Sequence, residues 1–389
     1  MIQMIRSDAE RFAEEIKGLR MTIHRHPEMG NHEYRTAELA EKYLNGIGIA
    51  TRRILDTAVV GEMKCGAGDP EKGPVRTAAL RADMDALPLT EMTGAEFSSE
   101  VSGVMHACGH DVHTAAVLGA ARILSEHRND LKGNVIFLLQ PDEEGRGGAD
   151  RMIREGCMDG VDAVFGAHVS PDLPAGHIGI RYGKFYAASD MFKVEVTGLA
   201  SHGAVREKGI DALAAAAEMV TALLELPSKI TSDKCILTVG RMQSGTAGNI
   251  MPGEAVFEGI IRTLGPETRR RMEEEFRNTV QAIADRTGTA ADIDYIHSHP
   301  GVVNDNSMTD LAFRAASGMF GEEKVHIIEE PVMISEDFGC FLDKAHGSFY
   351  HIGAGCDLPL HNPAFLPEEG VVTELAVMHA GAVWSYLME

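Results

Sequence analysis

Long apolar runs are the first thing this chain lacks. None reaches the ~18 consecutive apolar residues of a membrane span, so no membrane-crossing helix is predicted. Cations are also scarce: 36 Lys+Arg stand against 58 Asp+Glu, a formal charge of -22. Nucleic acid and anionic membrane surfaces both select basic proteins, so this balance excludes them as partners. A small anionic substrate needs only one or two local cations and stays open. A disulfide framework is missing too. The six cysteines (Cys65, Cys108, Cys157, Cys235, Cys340, Cys356) follow no paired spacing, which fits free thiols in a reducing compartment. Residues 1–20 mix acids and bases at helical spacing with no signal-peptide core, so the expected location is cytoplasmic. Internal repeats and low-complexity tracts are absent as well.

What is present is a large apolar fraction. Hydrophobic residues make up 44% of 389, enough for two domains of ~100–200 residues each. Residues 5–26 read as an amphipathic helix with Ile5, Phe12, Ile16, Leu19 and Ile23 on one stripe, and a second helix is predicted over 36–47. Short apolar runs at 58–63, 77–81, 135–139 and 163–167 read as strands, the later ones alternating with helical patterns at 111–126 and 148–155. That alternation predicts a doubly wound α/β sheet, in which ligands sit beyond the carboxyl ends of strands. From residue 191 the order changes to strand 191–197, helix 209–226, strands 235–242 and 254–263, helix 266–286 and strand 291–297. This β-α-β-β-α-β order is the ferredoxin-like split unit. It reads as a domain at 185–297 inserted into one formed by 1–184 and 298–389. The first domain then closes with a helix at 308–319, strands near 325–328 and 349–353, and a helix at 371–387.

One stretch concentrates chemistry. Met105-His106-Ala107-Cys108-Gly109-His110-Asp111-Val112-His113 holds three histidines, a cysteine and an aspartate, and a helical run follows at once. Imidazole and thiolate are ligands for zinc-like and manganese-like ions. The plain alternative is a His-rich surface turn with a buried thiol. Other candidates follow predicted strands: Asp83 and Asp85, Glu143 and Glu144, His168, and His361 in a late loop. Acids after a strand are commonly caps or solvated loops, and a lone His is commonly a packed polar residue. Their coincidence with the Cys-His loop favours a site.

Cys108, His110, Glu144, His168 and His361 are too many donors for one catalytic zinc, which usually keeps three protein ligands and an open position. They suit two divalent ions ~3.5–4 Å apart that share a ligand, acidify a water and polarise a carbonyl. One carboxylate must stay off the metals to take the water's proton and pass it to the leaving nitrogen. The adjacent Glu143 and Glu144 offer that division, and Asp83 and Asp85 can orient ligands from behind. Mixed S/N/O donors admit zinc, manganese, cobalt or nickel.

The segments Arg81-Ala82-Asp83-Met84-Asp85-Ala86-Leu87-Pro88, Met105–His113 and Gln140-Pro141-Asp142-Glu143-Glu144-Gly145 resemble the metal-dependent amidohydrolases of the aminoacylase/carboxypeptidase family, peptidase family M20. The nearest branch holds hippurate hydrolases, auxin-conjugate hydrolases and N-acetyl-diaminopimelate deacetylases. The similarity spans nearly the whole chain, through His168, the insert and Pro359-Leu360-His361. It implies a two-domain, zinc-exopeptidase-like hydrolase that cleaves an N-acyl bond to an amino acid. Glu143 matches the general base; Cys108, His110, Glu144, His168 and His361 match the metal ligands; Asp85 matches the aspartate supporting them. Cys108 occupies the position where other branches use a bridging aspartate.

The insert matches the lid and dimerisation domain. Within it, Ala200-Ser201-His202-Gly203-Ala204 resembles the segment whose histidine reaches the active site, in relatives often that of the partner subunit, so His202 would donate to the oxyanion. Asn249 and Arg262 match residues that bind substrate polar groups. A homodimer through the insert is expected, with a tetramer as the alternative. Two departures bear on specificity: Arg206-Glu207 stands where relatives often carry Pro-His, and Asp142 where alanine is common. The competing readings are a dipeptidase or aminopeptidase on the same scaffold, and a binding protein that has lost the chemistry. Redox sensing through Cys108 is a third, though metal ligation would protect that sulfur.

Overall fold

Thr77–Asp83 and Ala163–Ser170 are buried residue by residue, which marks strands covered on both faces. In the computed structural model they pair in parallel at the middle of an eight-stranded sheet. Across that sheet the order is Ala50–Ile54, Ala58–Lys64, Asn134–Gln140, Thr77–Asp83, Ala163–Ser170, His346–Gly353, Ile178–Ile180 and Val325–Ile327. The four central strands run parallel, and antiparallel pairs lie on either side of them. The expected mixed α/β architecture is therefore present. The structure describes residues 1–66, 75–145, 147–230 and 233–389. They divide into two compact units: Met1–Gly183 with Asn304–Glu329 and Asp337–Glu389, and Lys184–Val303 with Glu330–Glu336.

In the first unit the helices Ile2–Arg25, His110–Glu126, Asn306–Phe320 and Val371–Met388 pack together beside the sheet. The first buries Ile5, Phe12, Ile16 and Ile23, the stripe read from its spacing. Val371–Met388 is long and apolar enough to cross a membrane by length and composition. It is instead a core helix: Val371, Val372, Leu375, Val377, Met378 and Val383 are buried on several sides, as expected of a helix apolar all round. Its Glu374 and His379 interrupt the run, which is why no long apolar stretch is evident from the sequence. The helix itself was expected at 371–387, whereas the short strands Ala50–Ile54, Ile178–Ile180 and Val332–Ser335 were not predicted. They are three to five residues long and are too short to display a period.

The second unit has a simpler plan: strands ordered Cys235–Ser244, Glu254–Thr263, Tyr186–Thr197 and Ala290–His299, each adjacent pair antiparallel. Helices Ala212–Ile230 and Pro266–Thr287 pack against it, burying Phe192, Val194, Phe257, Ile261 and Phe276. Along the chain these six elements run β-α-β-β-α-β. Val332–Ser335 joins this unit by pairing in parallel with Tyr186–Thr197.

Candidate metal centre

The Cys-His loop is held at both ends. Met105 exchanges two backbone hydrogen bonds with Leu87, at 2.9 and 3.0 Å. Gly109 then turns with φ +85°, and the helix His110–Glu126 begins. No side chain fits at Gly109, because a Cβ would lie 2.5 Å from Val169 Cγ2. The sharp entry leaves Cys108 and His110 on the same side of the loop.

His110 and His168 are each fixed through Nδ1. His110 Nδ1 donates to the Asp85 carbonyl at 2.9 Å, and His168 Nδ1 donates to the Val169 carbonyl at 2.7 Å. In a neutral ring that leaves the Nε2 lone pair facing outward, as a metal-binding imidazole requires. His168 Nε2 lies 3.3 Å from Cys108 Sγ. His110 Nε2 is buried and makes no hydrogen bond among the described residues. His361, in a left-handed turn at φ +65°, hangs from the Ala107 carbonyl through its backbone N–H. Its Nε2 is 3.3 Å from Cys108 Sγ and 3.0 Å from Glu144 Oε1.

Two donor groups thus share one sulfur: Cys108, His110 and His168, and Cys108, Glu144 and His361. Within each group the donor atoms lie within 4.8 Å of one another. Glu143 joins His110 and Glu144 in a further group of the same span. A buried imidazole nitrogen that makes no hydrogen bond among the described residues, with the Asp83 carboxylate 3.8 Å away, and a thiol at the meeting point of two donor sets fit a pair of divalent cations. Burial pushes the Cys108 thiol well above its usual range, and the charges of Glu144 and Glu143 push the same way. Burial, with His113 beside it, drives His168 well below the ordinary histidine value. Burial opposes ionisation of Glu144, yet His361, His110 and Cys108 together outweigh it and hold the carboxylate below its usual range.

Asp85 and Asp83 stand behind these donors. Asp85 Oδ2 accepts from the Glu144 backbone N–H at 2.9 Å, so one residue fixes both His110 and the Glu143-Glu144 turn. Asp83 Oδ1 accepts from His113 Nδ1 at 2.7 Å, and Val169 N donates to His113 Nε2 at 2.9 Å. His113 therefore braces the strand end that carries His168. The sequence reading placed His113 in the motif but gave it no role; its position three residues after His110 on a helix is the available signal. Arg81 ties Asp83 Oδ2 at 2.7 Å to Asp337 Oδ1 at 2.9 Å, and Asp337 Oδ2 accepts from Ala149 N at 3.1 Å.

A second buried network secures the other side of the helix start. Arg20 Nε and His24 Nδ1 both donate to Asp111 Oδ2, at 3.1 and 3.0 Å, while His24 Nε2 donates to Glu91 Oε1 at 3.1 Å. Burial disfavours the charged ring, but Asp111 and Glu91 outweigh it and raise the His24 pKa to about 9. A histidine raised above its unfolded value stabilises the fold fully below about 6.5 and loses that contribution as pH climbs through about 9. His24→Gln is expected to cost about 2–3 kcal/mol at pH 7. Urea melts should show the gap to the parent narrowing between pH 7 and pH 10; a gap independent of pH would refute the charged-histidine account.

The remaining predicted residues lie in the second unit. His202 sits on Ser201–His202, paired antiparallel with Ile250–Met251, and Gly203 N donates to the Asn249 carbonyl at 2.8 Å. That pairing makes His202 and Asn249 neighbours. The ring of His202 is exposed, and its Nδ1 accepts from Ala204 N at 3.1 Å, which leaves the proton on Nε2. Arg262, half-buried on Glu254–Thr263, donates to the Ser189 hydroxyl at 2.7 Å. Arg206 pairs with Asp211 at 3.2 Å.

With this geometry in hand, comparison with known proteins is specific. The model of peptidase family M20/M25/M40 matches residues 79–383. The N-acetyl-L-cysteine deacetylase of Bacillus subtilis (strain 168) is 37% identical over 359 residues, covering 91% of this chain and 84% of that protein. Thermostable carboxypeptidase 1 of Saccharolobus solfataricus is 34% identical, covering 98% and 97%. Among solved structures, the YXEP protein of Bacillus subtilis, described as a dinuclear metal-binding peptidase of the M20 family, superposes with a TM-score of 0.85 at 33% identity, covering 97% of this chain and 99% of that one.

Proposed function

Because the chain belongs to peptidase family M20/M25/M40 and is a metallo-hydrolase acting on amide bonds, we propose that it hydrolyses N-acyl amino acids to a carboxylate and a free amino acid. The observation that carries this reading is the cluster at Cys108: one sulfur shared by two donor groups, with Glu143 beside them. Cys108, His110, Glu144, His168 and His361 would hold two divalent ions, whose chemistry is to acidify a water and polarise the scissile carbonyl. Zinc, manganese, cobalt and nickel all suit the donor set.

The chain's own residues do the rest. Glu143 takes the proton of the attacking water and delivers it to the leaving nitrogen. Asp85 keeps His110 in the right tautomer and holds the turn on which Glu143 stands. His202 would donate from Nε2 to the oxyanion, a role supported by the bond that occupies its Nδ1. Arg262 would take the substrate carboxylate through its forked donors, and Asn249 a further polar group.

The test is release of free amino acid from a panel of N-acetyl and N-benzoyl amino acids, including N-acetyl-cysteine and N-acetyl-diaminopimelate. Activity should vanish on chelation and return with added manganese or zinc. The carboxypeptidase relative favours a second reading, peptide hydrolysis on the same scaffold. A free dipeptide run beside its N-acetyl analogue separates the two: preference for the dipeptide would replace the N-acyl reading.

A further inference from the structure

Glu143 stands between two backbone N–H groups, and each donates to a buried carboxyl. Glu144 N donates to Asp85 Oδ2, and Asp142 N donates to Glu33 Oε1, both at 2.9 Å. Glu33 is fully buried immediately before the helix Tyr34–Gly46, yet its side chain does not cap that helix. Glu28 does so instead, accepting from Arg35 N and Thr36 N at 3.0 and 2.9 Å. The Glu33 carboxyl thus serves the turn at Asp142 and not its own helix. Thr57 bonds the same carboxyl, so the buried group is held beside the Asp142 turn from a second side.

The turn is one that needs holding. Asp142 has φ +56°, a left-handed conformation that a non-glycine residue keeps only where its surroundings impose it. Those surroundings come largely from residues 28–33. Gly30 approaches so closely that a Cβ there would fall 2.2 Å from Asp142 Oδ1, and the same holds for Gly145. Arg151 Nη2 donates to Asn31 Oδ1 at 2.7 Å and to Asp142 Oδ2 at 3.1 Å. Ala86 N donates to the Glu28 carbonyl at 2.8 Å, which stitches the same segment to the loop of Asp85. Burial, with the Asp85 charge adding to it, pushes the Glu33 carboxyl up to about 7. Near neutrality it can therefore carry a proton while Oε1 remains an acceptor.

We propose that Glu33 is a positioning residue for amide hydrolysis: its carboxyl fixes the left-handed turn at Asp142 and so sets the direction in which Glu143 projects. This rests on the reading of Glu143 as the general base. The test compares Glu33→Gln, Glu33→Asp and Glu33→Ala with Glu143→Gln, each assayed on the best N-acyl amino acid of the panel, with metal content and thermal midpoint measured on the same samples. Asp is one methylene too short to reach Asp142 N, and Ala has no acceptor. Both should lower kcat roughly ten- to a hundredfold with KM and metal content little changed. Gln retains the acceptor at full length and should hold kcat within about threefold of the parent.

Undiminished kcat in the Asp and Ala variants would overturn the proposal. So would a Gln variant as damaged as Ala, or losses that track metal loss or unfolding. Should Glu33→Ala not fold, the Gln and Asp pair decides the same question. An active Glu143→Gln would remove the base reading itself. An inactive Glu143→Gln beside a fully active Glu33→Asp would remove only the clamp.

Discussion

Glu143→Gln should leave the fold and the metal content of the protein intact while kcat falls by roughly a thousandfold to ten-thousandfold. The substitution keeps the size and the hydrogen-bonding reach of the side chain and removes only its ability to accept a proton. Glu143 is half-buried, and its donor oxygen lies within 4.8 Å of those of His110 and Glu144. It is close enough to the donor cluster to reach a water held there. The backbone on either side of it is anchored by Glu33 and Asp85, so an amide at this position should adopt the same rotamer. Two measurements separate the roles open to a carboxylate here. A general base lost to Gln lowers kcat and spares bound metal; a ligand lost to Gln sheds metal and lowers kcat through that loss. Elemental analysis of the purified variant beside its kcat distinguishes them, and a fully active variant would take the proton-transfer role away from Glu143.

How much of this is legible without a structure depends on the range of each contact. Cys108 and His110 share one short loop, and Glu144 and His168 lie at or just beyond the carboxyl ends of parallel strands, where an α/β sheet gathers its ligands. Those residues can be picked out from local pattern alone. Glu33 cannot, because its function lies in a bond to a residue 109 positions away. From sequence it reads as one more acid ahead of a helix, and only the structure shows that Glu28 has taken the capping task. His113 is hidden for a related reason. Its partners, Asp83 and the backbone of Val169, belong to two different strands that meet only when the sheet forms. Val371–Met388 is the converse case: a helix whose apolar faces make sense only against the three helices packed on it. The short strands are invisible for want of length, and one of them, Val332–Ser335, pairs with the second unit and belongs to it.

Cys108→Ala should lose activity as completely as Glu143→Gln, by the opposite route. Its sulfur is the atom common to both donor groups, 3.3 Å from His168 Nε2 and 3.3 Å from His361 Nε2. Removing an unshared donor such as His361 weakens one group; removing the shared one weakens both. Metal content in Cys108→Ala should therefore fall further than in His361→Ala, and added manganese or zinc should restore little activity. Cys108→Asp supplies the discriminating result. An aspartate offers two oxygens from a side chain only slightly longer than cysteine, and oxygen donors also bind zinc and manganese. If the sulfur acts as a bridging ligand, the Asp variant should recover metal and a measurable share of kcat. If the sulfur were a nucleophile that forms an acyl intermediate, neither Asp nor Ala would turn over, and metal content would be unaffected in both. Wild-type metal content and activity in Cys108→Ala would exclude either role. The position of Sγ among the donor atoms of both groups, within 3.3 Å of a ring nitrogen in each, is the physical reason to expect the ligand result.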